Sequence, residues 1–424
     1  MKKYLGAFVL MLLGAMAVGQ PKPAAVELKL SLKQYLAAVA KGNLSYAAQQ
    51  YNVGIAEAEL RASKVFPDPE ISISYSNNQD NTLMMGQGIE TGISYPISFG
   101  NKRGASIALA QSTYEQSQSA LDAFYFSLRA DATLAYLNAV HNQEVLLLQK
   151  DSYQQLQKLA DADSIRLTVG EIMEIDAQQS ALEAKAQQGQ LFQAQDDWKA
   201  SCVALTRLLG ASVSDTSIIP LSDGTMWKRT YILNDLIQQA LALRPDLKVA
   251  AQEQDVAKAK LRQLKADRAF EFSLDAGYSH NTQVRNETAP APAFSSYSAG
   301  ITIPLKLSNI NRSAVRSAKL SIAQSEVTFR DMQQQVVAEI ATAYAAYRTA
   351  QSQLEHYSSG IVDRAEKILQ GRIYAYQRGQ STLMEVLGAQ RSYNDIRMGY
   401  ADSRLRYATT LVELERVAGI WDIE

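Results

Sequence analysis

Four short segments of the chain alternate strictly between two kinds of side chain. Ile71, Ile73 and Tyr75 alternate with Ser72, Ser74 and Ser76. Ile89, Thr91, Ile93, Tyr95 and Ile97 alternate with Glu90, Gly92, Ser94, Pro96 and Ser98. Phe272, Leu274, Ala276 and Tyr278 alternate with Ser273, Asp275, Gly277 and Ser279, and Tyr297, Ala299, Ile301, Ile303 and Leu305 with Ser298, Gly300, Thr302, Pro304 and Lys306. A period of two sends successive side chains to opposite faces, so each segment predicts a strand with one apolar and one polar face. Each is about ten residues long, the length of a tilted membrane-spanning strand. The polar stretches between them, Asn77 to Gly88 and His280 to Ser296, predict hairpin loops.

The remainder of the chain has the period of a helix. Val336, Ile340, Ala343, Tyr344 and Tyr347 recur at three and four residues, as one helical face does. No proline lies between 97 and 219 or after 304, and both stretches are rich in helix-favouring Ala, Gln, Leu and Glu. Gly170 and Gly379 mark reversals within them. A helix from Gly104 to Gly170 would be about 100 Å long at ~1.5 Å per residue, which predicts coiled-coil-like packing. The pattern predicts helices over 31–66, a hairpin over 69–98 and helices over 102–210, then helices over 231–269, a hairpin over 271–307 and helices over 310–419. Residues 211–230 read as a linker, between a first half, 20–210, and a second, 231–424.

The halves share residues in order. Ala56, Ala58, Leu60, Arg61, Lys64, Glu70 and Ser72 recur as Ala257, Ala259, Leu261, Arg262, Lys265, Glu271 and Ser273. Gly92-Ile93-Ser94-Tyr95-Pro96-Ile97 recurs as Gly300-Ile301-Thr302-Ile303-Pro304-Leu305, and Gly170 with Met173-Glu174-Ile175 as Gly379 with Met384-Glu385-Val386. This collinear order predicts an internal duplication whose period is too long for a solenoid.

The first residues read as an address. Lys2 and Lys3 precede an apolar run from Leu5 to Val18, followed by a small-residue cleavage site at Gly19, so 1–19 predicts a cleaved secretory signal. Gln20 follows the cut where a lipoprotein needs cysteine, so no lipid anchor is expected. No later stretch reaches the length of a transmembrane helix, so a membrane role falls to the strands.

With 42 basic and 43 acidic residues, the balance points to no nucleic-acid partner. A hydrophobic fraction of 47% excludes disorder throughout. A single cysteine, Cys202, excludes an internal disulfide and predicts a small core residue; the three histidines show no ligand spacing. There is no phosphate loop and no catalytic constellation, so neither enzyme activity nor a cofactor is expected.

Spanning strands need every backbone group paired, so the sheet must close on itself. Four strands are too few for a single-chain barrel, which predicts a barrel shared between chains. The Ser- and Gly-rich face suits a water-filled lumen, and the helices should extend from it into the periplasm. The fold class expected is α+β, a long helical barrel plus a transmembrane β-barrel. Here the chain resembles the TolC family of outer-membrane efflux channels, nearest in look to outer-membrane components of heavy-metal exporters. The resemblance covers nearly the whole mature chain. It rests on the duplicated plan, Pro67-Asp68-Pro69-Glu70 where the first strand starts, Tyr95-Pro96-Ile97 where the second ends, Gly100-Asn101-Lys102-Arg103 at the helix start and Tyr376-x-x-Gly379 near the helical tip.

The resemblance implies a homotrimer in outer-membrane lipid, docked to a periplasmic adaptor and an inner-membrane pump. It implies adaptor contact at the tips, Arg166-Leu167-Thr168-Val169-Gly170 and Tyr376-Gln377-Arg378-Gly379, although glycine at a reversal is explained by backbone freedom alone. It implies acidic rings at a periplasmic entrance, here Glu385 and Glu174, whose plainer reading is a solvated helix glutamate. Ser381 and Gly388 stand where the best-known member has an arginine and a second acid, leaving Arg378 as the candidate for a latch. Met84-Met85 could touch soft metals or simply form a loop tip. Lys102, Arg103 and Arg312 follow the strand ends and suit lipid headgroups or solvated helix starts. The expected activity is passive export of small toxic solutes or metal cations. A type I protein-secretion duct and a secreted coiled-coil scaffold are the alternatives, and a scaffold has no use for the four strands.

Overall fold

The computed structural model describes residues 26–78, 84–212, 216–221, 229–305 and 311–422. The expected signal 1–19 and Gln20 lie outside the described residues, as do 213–215 and 222–228 of the expected linker, 79–83 of the first hairpin loop and Lys306.

After β1 (Val26–Leu30) come α1 (Leu32–Gly42) and α2 (Leu44–Ser63), then the hairpin β2 (Glu70–Asn77) and β3 (Gln87–Ser98). The helix α3 (Lys102–Thr168) turns into α4 (Glu174–Leu209), and β4 (Thr216–Pro220) follows. Next are α5 (Leu233–Leu243), α6 (Pro245–Ala266) and the hairpin β5 (Glu271–Asn281) and β6 (Phe294–Thr302). The chain ends with α7 (Arg312–Ser358), α8 (Ile361–Gln377) and α9 (Leu383–Ala418).

Helix breaks follow local chemistry. The side chain of Asn43 caps α2 by accepting from the Tyr46 amide, while Ser31 and Gln34 form a capping box at α1. Pro245 opens α6, where its missing N–H costs nothing. At the tips, the amides of Gly170 and Glu171 donate to the carbonyls of Leu167 and Arg166, and those of Gly379 and Gln380 to Tyr376 and Ala375. These paired bonds require a left-handed residue, which the glycines supply at φ 78° and 70°.

The linker is not featureless. β4 lies inside it and pairs in parallel with β1, so Leu28 faces Ile218 across a two-stranded sheet. Tyr136 from α3 donates to the carbonyls of Leu30 and Leu221, each at 2.8 Å, tying this sheet to the helices. Its core joins Tyr35, Val39, Leu128, Tyr136, Leu205 and Ile218. A second core joins Leu236, Val336, Ile340, Tyr347, Leu411 and Leu414. Each aliphatic side chain so buried contributes about 1.5–3 kcal/mol. In the second core Glu415 is fully buried, accepting from the Tyr231 hydroxyl at 2.8 Å and the Asp422 amide at 2.9 Å. Burial pushes its carboxyl above the usual range.

The four remaining strands form one antiparallel sheet in the order β2-β3-β5-β6. Helices α3, α4, α8 and α9 meet far from it, around Leu156, Ala184, Tyr376, Leu383, Val386 and Leu387.

Candidate functional site

Two features stand out: a sheet with an uncovered apolar face, and a helical tip where α3, α4, α8 and α9 meet. In the sheet, register settles which residues share a face. Ile71 pairs with Ile93, Ile93 with Ala276 and Ala276 with Ala299. Tyr95 pairs with Leu274 and Leu274 with Ile301. The other face carries rows such as Ser72, Gly92, Gly277 and Ser298. Directly opposed residues lie on one side of a sheet, so the four alternating patterns are in phase. The apolar face is uncovered: Ile71 is 72% exposed, Ile73 75%, and Tyr297 85%. In this sheet the outer edges are β2 and β6. No described helix is long and apolar enough to cross a membrane.

Where the strands meet the helices, Lys102 pairs with Glu271 at 2.5 Å. Arg103 donates from Nε to the Lys64 carbonyl at 3.1 Å and stacks 3.9 Å from the centre of the Phe66 ring. Both cations therefore fasten the start of α3. Met84 and Met85 are exposed in the first loop, and the Arg285 amide donates to the Met84 carbonyl, joining the two loops.

At the tip, the reversals place Thr168, Val169, Gly170, Arg378 and Gly379 on the surface, with Val169 65% exposed. Tyr376 differs. It is buried, and its hydroxyl donates to Asp163 Oδ1 at 2.8 Å. Asp163 on α3 is fully buried, and its Oδ2 has no hydrogen-bond partner. Arg166 approaches Asp163 at 3.8 Å, reaches Glu171 at 3.3 Å and lies over the Tyr376 ring at 4.8 Å. Burial, and then the bond to Asp163, hold the Tyr376 phenol well above its usual range. This knot joins the end of α8 to α3, so Tyr376 works inside the tip rather than on its surface.

Glu385 sits in the first turn of α9, where Thr382 and Glu385 form a capping box. Its Oε2 accepts from the Ser381 hydroxyl at 2.6 Å and the Thr382 amide at 3.1 Å, and Arg372 approaches its Oε1 at 3.4 Å. The Ser381 bond, then the Thr382 amide, hold its carboxyl below the usual range. The Arg378 guanidinium lies 4.2 Å over the Tyr374 ring, and Arg372 is the cation that approaches Glu385 within the chain. Glu174 opens α4, exposed, and accepts from Gln178 at 2.9 Å.

Above the tip, α9 is fastened to the first helical pair by charge. Arg391 makes a bidentate pair with Glu183 at 2.9 and 2.8 Å, Arg397 pairs with Asp151 at 2.7 Å, and Arg404 with Glu144 at 2.9 Å. Among the described residues no cluster could hold a metal ion. Burial pushes the Cys202 thiol up to about 11, so it is an inert core group.

The family description "outer membrane efflux protein" fits this geometry, and its model matches residues 32–211 and 236–420. The chain belongs to the outer membrane efflux protein family. Among relatives of this efflux protein, the cobalt-zinc-cadmium resistance protein CzcC of Cupriavidus metallidurans is 21% identical over 399 residues, spanning 94% of this chain and 92% of its own. The fold is that of CusC, with a TM-score of 0.74, 18% identity and 92% of both chains covered. It is also that of the CmeC outer membrane channel of Campylobacter jejuni, with a TM-score of 0.75, 16% identity and 92% and 85% coverage. The MtrE outer membrane channel of Neisseria gonorrhoeae, described in its open state, gives 0.73, 17%, 92% and 89%. In this efflux protein the residues that sequence reasoning missed are Asp163, Arg372, Arg391 and Glu183.

Proposed function

We propose that this outer-membrane efflux protein is a passive duct built from three copies of the chain. The observation that carries this reading is the sheet. Its apolar face is bare and its edges are free, a state that water does not favour and a lipid bilayer does. Strand directions alternate from β2 to β6, so β6 of one copy can meet β2 of the next antiparallel, and closure satisfies both edges. Three copies of four strands give a barrel well above the smallest known size. The apolar rows then face lipid and the Ser- and Gly-rich rows face water.

On this reading the chain is led across the inner membrane by the cleaved segment 1–19, is not lipidated, and sits in the outer membrane with its helices in the periplasm. The two halves derive from a duplication. The surface of Thr168, Val169, Gly170, Arg378 and Gly379 meets a periplasmic adaptor, which links the duct to an inner-membrane pump. Glu385 and Glu174, repeated by the symmetry, line the entrance. The cargo is a small toxic solute or metal cation, and the resistance named for CzcC supports the metal. The Tyr376–Asp163 bond fastens the entrance shut. Detergent-extracted protein inserted in planar bilayers should conduct as a particle of three chains. A stable monomer, or a trimer that never conducts, would overturn the reading.

A further inference from the structure

Lys102 and Arg103, the cations expected at lipid headgroups, are engaged inside the fold by Glu271 and by Lys64 and Phe66. Other cations surround them. Lys64 follows the end of α2, Arg262 and Lys265 lie near the end of α6, and Arg312, Arg316 and Lys319 lie in the first turns of α7. All six are exposed. The acids nearest on these helix faces, Glu57 and Asp255, are held by Arg61 and Lys258. Among the described residues none of the six has an acidic partner of its own.

Handedness decides which side of the wall they face. The helices continue the order of the strands, with α6 between α3 and α7 as β5 lies between β3 and β6. In β5 the even-numbered residues carry the apolar side chains. Their backbones bond toward β3, as the Phe270 carbonyl does to the Phe99 amide and the Thr282 amide to the Gln87 carbonyl. For L-residues, a rising strand that turns its apolar side chains to an observer then has β3 on the observer's right. The right-handed α6 rises below it with Gln263 against Ser106 of α3, also on the right. One hundred degrees per residue then turns Arg262 and Lys265 to the observer, and Glu253 and Lys260 to the far side. On α7, which descends beside α6, Val315 and Ala318 are buried, and Arg312, Arg316 and Lys319 lie off that packed side. The cations therefore share the side of the apolar sheet face.

That face ends in rings. Phe99, Phe270 and Phe272 have centres 5.6 to 6.4 Å apart, and Phe66 and Phe270 are exposed. Exposed aromatic rings mark the edge of the hydrocarbon. Lys265 and Arg262 precede Phe270 by five and eight residues, or about 8 and 12 Å of helical rise. The headgroup layer is about 6 Å deep, and charges act over about 8 Å at physiological salt. A zwitterionic lipid would bring a cation of its own to this surface; an anionic lipid would not.

We propose that Lys64, Arg262, Lys265, Arg312, Arg316 and Lys319 form a collar that binds anionic phospholipid in the periplasmic leaflet and sets the depth of the duct. The collar rests on the membrane reading proposed above. Lys102 and Arg103 hold the strand ends and the helix starts together, so the collar keeps a fixed height below the sheet.

Spin-labelled phosphatidylglycerol and phosphatidylcholine, each added to full-length protein in mixed bilayers of the two lipids, report which lipid the protein retains. The parent should favour phosphatidylglycerol about fivefold, the worth of one basic side chain near a charged surface. That preference should fade in 1 M salt, where charges act over about 3 Å. The combined variant Arg262→Gln, Lys265→Gln and Lys319→Gln should lose most of it, while Lys185→Gln, Lys199→Gln and Lys367→Gln, on helices α4 and α8, should keep it. An unchanged preference in the collar variant, or an equal loss in the second variant, would overturn the collar. So would binding to isolated peptidoglycan that the collar variant loses while its lipid preference stays. Failure of the parent to enter bilayers would instead count against the barrel, and short-chain phosphatidylglycerol added to the detergent-extracted protein would still decide the collar with the same variants.

Discussion

Tyr376→Phe removes one oxygen atom from the tip and leaves the ring in its cluster with Leu156, Ala184, Leu383 and Leu387. The lost bond is the 2.8 Å contact to Asp163, a carboxylate whose other oxygen already lacks a hydrogen-bond partner. A hydrogen bond to a charged group contributes about 1.5–3 kcal/mol. Arg166, at 3.8 Å, is too far to replace it with a hydrogen bond. The balance between fastened and released tips should therefore shift by about 10- to 150-fold toward release. Channels in planar bilayers should show larger or more frequent conductance steps by a corresponding factor. Asp163→Asn keeps an acceptor for the tyrosine and should act in the same direction, less strongly. An intact trimer of Tyr376→Phe with the parent's conductance would refute the argument, because the ring packing is unchanged and only the bond has gone.

Ile93→Arg, on the apolar face, should hinder membrane insertion by roughly 2–4 kcal/mol near the midplane, while Ser94→Arg on the polar face should be milder; fractionation of outer membranes measures both, and equal damage would refute the facing. Glu385→Gln retains the capping box and should reduce cation preference in bilayer recordings, an effect that weakens with salt, and Glu174→Gln should do the same less strongly. Unchanged selectivity in both would make them solvated helix residues. The fully buried Glu415 has a folded pKa above its unfolded value, so it holds its proton more tightly when folded. Its ionisation thus costs stability as pH rises through the raised pKa, and the cost disappears as pH falls to the ordinary carboxylate range. The difference in melting temperature between parent and Glu415→Gln should therefore vary with pH across that window, and a constant difference would refute it.

Much of the framework was legible because it is local. Alternation at 71–76 and 272–278 needs only neighbouring residues, and Gly170 and Gly379 announce their turns through backbone freedom alone. The capping box at Thr382 and Glu385 is equally local but was not read from the sequence, and it makes Glu385 a residue engaged by its own helix. β4 was missed because five residues between helices carry too little pattern, and its partner β1 is far away in the chain. The knot at Tyr376 was missed because Asp163 stands on the other helical pair, where an aspartate in a helix looks solvated. Arg372 reaches Glu385 only because α8 and α9 fold back on each other, and a search near the turn led to Arg378 instead.

The claim that three copies close one barrel is tested most directly at the free strand edges. Ser298→Cys on β6 can be combined in turn with Ser72→Cys, Ser74→Cys and Ser76→Cys on β2, since the one native thiol, Cys202, is buried. After oxidation of outer membranes, at least one pair should give covalent species of two and three chains and none larger. Single variants should give none. Only monomers from every pair, or a series running past three, would contradict a barrel shared by three chains.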